Sequence, residues 1–228
     1  MGKIKFGMMF VAVLLFCSFI FADEELTPVS GWYVRFDAGI SKALDPELKI
    51  PSGHLPADLG SSSLFGGGLG YSIVPGLRSD LTLSYRSGLQ QISGFAAMPE
   101  GTADLHSLTA LVSIHLDVLT TARVSPYGGF GIGLARNKLE RITITNPDGS
   151  ILGTIDGKTA TGFAWQLSAG ADIQIANRWV LDVGYHYLSA GDYESQDLLI
   201  LTDGGNAPGK TEGKFRSHEL IASIQYTF

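Results

Sequence analysis

The segment SHELIASIQYTF, residues 217–228, alternates with a period of two. Leu220, Ala222, Ile224, Tyr226 and Phe228 share one face, and Glu219, Ile221, Ser223, Gln225 and Thr227 share the other. Side chains of a β-strand point to opposite faces in turn, so this segment reads as a strand with one apolar and one largely polar face. The pattern recurs upstream. In TGFAWQLSAGADIQIA (161–176), Phe163, Trp165, Leu167, Ala169, Ala171, Ile173 and Ile175 alternate with Ala164, Gln166, Ser168, Gly170, Asp172 and Gln174. In RWVLDVGYHYL (178–188), Trp179, Leu181, Val183, Tyr185 and Tyr187 oppose Val180, Asp182, Gly184, His186 and Leu188.

Five more segments behave alike: GWYVRFDAGI (31–40), LFGGGLGYSI (64–73), SDLTLSYRS (79–87), residues 106–118 and PYGGFGIGLA (126–135). Eight is an even number and the smallest count that closes a barrel across a membrane. The connections near 74–79, 119–126 and 176–178 are short. Those near 42–62, 88–103, 136–160 and 189–213 are long and rich in Gly, Pro, Ser and Asp. An alternation of short periplasmic turns with long outer loops is the asymmetry of an outer-membrane barrel, with both termini on the periplasmic side. A secreted β-sandwich would alternate too, but it gives no reason for strictly short and long connections.

Composition points the same way. Charged residues are 17%, glycines number 29 and aromatics reach 10% of 228 residues. Past residue 22 no apolar run approaches the ~20 residues that a spanning helix requires, and a membrane protein without spanning helices must be a closed barrel. The expected fold is therefore all-β, an eight-stranded antiparallel up-and-down transmembrane β-barrel over residues 23–228. Residues 1–22 read as a signal peptide: Lys3 and Lys5 precede the apolar run Phe6 to Phe21, and Ala22 precedes Asp23-Glu24-Glu25. The single cysteine, Cys17, falls inside that run, so no disulfide or thiolate site is expected in the exported chain. A net charge of −6 excludes a nucleic-acid partner of the usual basic kind.

GWYVRFDAGIS, ADIQIANRWVLDVGYHYLSAGDY and SHELIASIQYTF resemble the first strand, the penultimate hairpin and the closing strand of the alphaproteobacterial outer-membrane β-barrel family. This family is related to the major surface antigens of rhizobia, brucellae and bartonellae, and its small barrels share the OmpA transmembrane architecture. The resemblance covers both ends of the chain well and the middle loosely. It implies that Tyr226 and Phe228 form the C-terminal signal read by the barrel assembly machinery.

The inward set carries the ionisable residues Arg35, Asp37, Arg86, His115, Asp117, Asp172, Asp182, His186 and Glu219. An eight-stranded barrel is only wide enough for side chains to fill it, and buried charges must be paired, so these read as a salt-bridged polar core. A narrow ion or proton path is the sharper alternative. His54, His106, His186 and His218 are scattered, and Ser217-His218-Glu219 spans opposite strand faces, so no catalytic, cofactor or metal site is read. The Gly-rich runs 66–70 and 128–133 lack the helix and Lys-Ser/Thr pair of a phosphate loop; glycine there suits a narrow, strongly curved barrel.

Trp32, Phe65, Tyr127, Trp179, Tyr187, Tyr226 and Phe228 read as interfacial girdles. Arg136, Lys138 and Arg141 form a basic cluster on an outer hairpin tipped by Asn146-Pro147-Asp148-Gly149; it reads first as a solvated charged face, with a bridge to lipopolysaccharide phosphates as the alternative. Leu198-Leu199-Ile200-Leu201 reads as a cover over the barrel mouth or a contact surface. The sequence thus implies a surface barrel in outer-membrane lipid and lipopolysaccharide, with an envelope-stabilising, surface-antigen role. Alternatives are an adhesin for host surface ligands, a haem receptor using His54, and a small diffusion pore.

Overall fold

Alternation of this kind leaves a strand no stable partner but another strand with the same two-faced pattern, and the described residues form thirteen. The computed structural model describes residues 31–228 apart from 45–46, 51–52, 57–59, 93–99, 119–122, 147, 203 and 209–211. The expected export segment, 1–22, lies outside the described residues. The strands are β1 (Trp32–Ala43), β2 (Glu47–Ile50), β3 (Gly53–Pro56), β4 (Ser61–Val74), β5 (Leu77–Ile92), β6 (Glu100–Asp117) and β7 (Val124–Leu139). They continue as β8 (Ile142–Thr145), β9 (Ile151–Gly157), β10 (Thr159–Ala176), β11 (Trp179–Leu201), β12 (Asn206–Pro208) and β13 (Glu212–Thr227).

Eight of them close a ring in the order β1, β4, β5, β6, β7, β10, β11, β13, all antiparallel, with β13 returning to β1. Closure removes every free sheet edge, the condition for a β-structure in lipid. The other five strands lie beyond the ring at the long-connection end. There β8 pairs with β6, β9 with β8 and β11, and β12 with β11. Thus β8 prolongs β7 past a break at 140–141, and β9 runs into β10 past a break at 158. The segments read as loops at 136–160 and 189–213 are largely strand, and the wall of the barrel climbs well past the membrane. At the tip, Asn146 N–H donates to Ser150 O at 2.8 Å and Gly149 N–H to Asn146 O at 2.9 Å.

The inward and outward faces follow the alternation. On β13, Ser217, Glu219, Ile221, Ser223, Gln225 and Thr227 are buried, while Leu220 and Phe228 are exposed to the surroundings. An arc of aromatic rings lies outside the short-turn end on the adjacent strands β11, β13, β1 and β4. Trp32 packs on Tyr71 with ring centroids 5.0 Å apart, and Trp179 packs on Tyr226 at 4.9 Å. A second group at the other end holds Trp165, Tyr187 and Tyr185, with His218 against both tyrosines. From Trp179 to Tyr187 the strand advances roughly 26 Å, the scale of the apolar band, about 25 Å tall, of such barrels.

Tyr127 departs from the girdle reading. It is 5% exposed and faces the lumen, on the same parity as the inward Gly129 and Gly131. Three inward tyrosines each lie across the sheet from a glycine: Tyr33 from Gly70, Tyr127 from Gly170, and Tyr193 from Gly213. The pairing is steric. A Cβ on Gly170 would sit 2.7 Å from the Tyr127 hydroxyl, and one on Gly213 would sit 2.6 Å from that of Tyr193. A different glycine, Gly191 at φ +73°, sits in a bulge of β11. The bulge shifts the inward parity from Leu188 and Ala190 to Tyr193 and Ser195. Because Gly170 makes room for a ring, Gly170→Val is expected to cost about 1–3 kcal/mol by overpacking, read as a lower urea midpoint for the refolded barrel. An unchanged midpoint would mean that the ring has room to spare.

Candidate functional site

Inward side chains from all eight ring strands meet in the lumen, which is layered along its axis. Nearest the short turns, Arg35 of β1 is the hub. Its Nε donates to Asp37 at 2.9 Å, Nη1 to Asp80 at 2.7 Å, and Nη2 to Asp182 at 3.2 Å and Ser223 at 2.9 Å. Arg78 of β5 pairs with Asp172 at 2.8 Å and faces Asp117 at 3.5 Å, with its guanidinium 4.7 Å from the Tyr127 ring centroid. Five carboxylates here face two guanidiniums, so neutral donors complete the shell. The Tyr33 hydroxyl donates to Asp80, and that of Tyr127 donates to Asp182 at 2.9 Å. His115 stands 3.5 Å from Asp80 and edge-on to Tyr127.

The middle layer is one bidentate pair. Arg86 Nε and Nη2 donate to the two oxygens of Glu219 at 2.6 and 2.9 Å, and Nη1 donates to Thr109 at 2.8 Å. Ser41 and Ser217 each donate to Glu219 at 2.9 Å. Both partners are fully buried. His186 lies beside Glu219 in the ladder. The top layer is apolar. Leu105, Leu139, Ile142, Ile155, Leu188, Tyr193 and Phe215 are among the residues packed into one buried cluster there. Asn137 is stitched into the wall by donating to the carbonyls of Ala190 and Asp192 at 2.7 and 3.0 Å. Below the Arg35 layer a recess of about 110 Å³ opens at the short-turn mouth, lined in part by Arg78, Asp117, Arg123 and Asp172.

All nine ionisable residues singled out from the sequence thus project into the lumen, in two groups. Arg86, Glu219 and His186 form one; Arg35, Asp37, His115, Asp117, Asp172 and Asp182 belong to the other. Arg78 falls within the connection read near 74–79 and so is absent from the inward set; Asp80 falls inside the strand read at 79–87, on the parity of Thr82, Ser84 and Arg86, and only its position as the strand's second residue keeps it out of that set. The turn is Pro75-Gly76 alone, and Arg78, Asp80, Thr82, Ser84 and Arg86 keep one inward parity. Ser217 and Glu219 point inward and His218 outward, so the three make no constellation. Among the described residues no cluster of three or more His, Cys, Asp or Glu is arranged for a metal ion. The side chain of His54 and those of 197–199 lie outside the described residues.

The outer hairpin cations are exposed, and two of the three are neutralised locally. Lys138 pairs with Glu140 at 3.2 Å and Arg141 with Asp156 at 2.9 Å. At the tip the Ser150 hydroxyl and N–H hold the Asp148 carboxyl below the usual carboxylate range.

A ring of eight antiparallel strands with a polar inside and an apolar outside has known counterparts. Residues 9–228 match the outer membrane protein beta-barrel domain. The chain belongs to this family. A Brucella suis protein of uncharacterised function is 26% identical over 254 residues, covering 92% of this chain and 89% of its own length. A Rickettsia conorii protein named "Putative adhesin" is 24% identical over 207 residues, covering 86% and 81%. Both sources are alphaproteobacteria, in keeping with the resemblance seen in the strands. Among solved structures the fold is similar to OprG of Pseudomonas aeruginosa, with TM-score 0.62, 12% identity and coverage of 90% and 99%. Neisserial surface protein A is similar with TM-score 0.52, 22% identity and coverage of 88% and 99%. The protein is a β-barrel of the bacterial outer membrane.

The buried Arg86–Glu219 pair gives a sharp energetic test. Glu219→Gln leaves a guanidinium uncompensated and is expected to cost about 3–5 kcal/mol. The double substitution Arg86→Met with Glu219→Leu should recover most of that loss. Urea unfolding of the barrel refolded into phospholipid vesicles measures both; losses that simply add would show that the pair is not coupled.

Proposed function

We propose that this outer-membrane barrel is a non-conducting surface anchor that stabilises the envelope and presents its long hairpins outward. The observation that carries the reading is the filled lumen. An ion-paired layer around Arg35, the Arg86–Glu219 pair and the apolar layer around Tyr193 and Phe215 follow one another along the axis. A diffusion pore needs a continuous wetted path, and a water-excluding apolar layer across the mouth opposes one. With short turns toward the periplasm, this apolar layer faces outward. Export through the 1–22 segment, and assembly through a terminal signal at Tyr226 and Phe228, belong to the same proposal. Phe228 is exposed and packs edge-on against Tyr226, open to a recognition partner.

A second reading, an adhesin for host surface ligands, is favoured by one feature. β8, β9, β12 and the far end of β11 build a sheet beyond the membrane, and a similar Rickettsia protein bears the adhesin name. Replacing 142–157 by a tight turn separates the readings: an anchor keeps its envelope role, whereas an adhesin loses host-cell binding while the barrel still forms. The anchor is tested in planar bilayers, where purified protein should add no discrete conductance steps. Reproducible steps would establish a pore and overturn the reading.

A further inference from the structure

The outer face of the barrel is apolar until the β1–β13 seam nears the long-hairpin end, where it turns cationic within one rung. Ile40 and Leu220 face each other across the seam and are both exposed outward. The next outward rung pairs Lys42 with His218. Beyond it on β13 come Arg216 and Lys214, on the same face and exposed. The step is tight, because Leu44 N–H donates to Arg216 O at 2.8 Å and holds β1 against β13 there. The four steps along β13 from Lys214 to His218 span roughly 13 Å.

What sets the seam apart is that its unmatched cations are adjacent; on the outer hairpins most cations are matched, although Arg136 is exposed without an ion pair among the described residues. Lys138, Arg141 and Lys158 are matched with Glu140, Asp156 and Glu194. Lys42, Lys214 and Arg216 have no ion pair or side-chain hydrogen bond among the described residues; Asp192 lies across from Lys214 in the ladder without bridging it. On the other side of Lys42 the neighbour is Ser61, a small hydroxyl. Three unmatched positive charges in a protein of net charge −6 mark a place where an anion is supplied from outside. The apolar rungs directly below belong to lipid chains, so the anion arrives on an amphiphile.

We infer that the β1–β13 seam is a binding site for a phosphorylated saccharolipid of the outer leaflet. Lys42, Lys214 and Arg216 hold its phosphates, and Ile40 and Leu220 lie against its acyl chains. The site rests on the reading of the protein as an anchored surface barrel and gives it a mechanism. A cationic strand seam clamps head groups that otherwise repel one another, tying the barrel to the leaflet around it. Arginine supplies a planar fork for phosphate, and the two lysines supply point charges.

The experiment uses the whole barrel in detergent micelles, with bis-phosphorylated lipid A, the same lipid dephosphorylated, and inorganic phosphate as probes. Binding is read by native mass spectrometry. The triple variant K42S/K214S/R216S is compared with R123S/R178S, which removes two exposed cations at the short-turn end and spares the seam. A heat-shifted gel band certifies closed barrels throughout, so failure to fold is recognised separately. With each interfacial cation contributing about fivefold, the triple variant should bind lipid A on the order of 100-fold more weakly, and the short-turn variant should match the native protein. Dephosphorylated lipid and inorganic phosphate should both bind poorly. Equal binding by the triple variant overturns the site, as does equal binding of dephosphorylated lipid. Tight binding of inorganic phosphate alone would make it a free-anion site instead. None of these outcomes depends on whether the lumen conducts.

Discussion

An eight-stranded ring leaves its interior no room for bulk water, so each charge turned inward must find its counter-charge within the ring. The rest of the architecture is organised around that demand. Backbone ladders join only neighbouring strands, whereas the guanidiniums join strands that are not neighbours. Arg35 on β1 reaches Asp80 on β5 and Asp182 on β11; Arg78 on β5 reaches Asp172 on β10; Arg86 on β5 reaches Glu219 on β13. These are transverse staples across a tube whose wall is otherwise held only edge to edge. Three glycines follow from the same demand, because the inward rings of Tyr33, Tyr127 and Tyr193 lie over the neighbouring strand where Gly70, Gly170 and Gly213 present no side chain.

The two ends of the tube solve different problems. Toward the short turns the lumen is polar and opens into a small recess. Toward the long hairpins it is capped by aliphatic and aromatic side chains, where the wall leaves the membrane and water would otherwise enter from above. Outside, the order is reversed: apolar side chains cover the spanning part, and cations gather where the strands emerge. The inside and outside faces of one strand therefore change character at similar heights, as on β13, where inward Phe215 and Ser217 stand between outward Lys214, Arg216 and His218.

Parity was legible in the sequence and partnership was not. Alternation assigns Arg35, Asp182 and Glu219 to the inside because a shift of one residue would expose them to lipid. Which carboxylate meets which guanidinium depends on the stagger of the strands around the ring, a long-range property that no local pattern encodes. Arg78 is hidden by a turn read as too long, whereas Asp80 lies at the very start of the strand read at 79–87, where its parity with Ser84 and Arg86 already points inward. Tyr127 was misplaced because an aromatic beside Pro126 near a strand end looks interfacial, although its parity with Gly129 and Gly131 was the better guide. The hairpin strands beyond the membrane were read as loops because their Gly, Pro and Asp content matches that of turns. They are strands because neighbouring hairpins pair with one another, again a non-local fact.

The central claim is a lumen without a water path, and thiol accessibility tests it most directly. The only cysteine is Cys17, in the segment expected to be removed, so single cysteines can be placed at will in the exported barrel. Ser84 faces the lumen and is buried, and Ser150 is exposed at the hairpin tip. With a charged, water-soluble methanethiosulfonate, the Ser150→Cys barrel should react at once, and the Ser84→Cys barrel only after unfolding in urea. Rapid labelling of Ser84→Cys in the folded barrel would contradict the account and establish a hydrated channel.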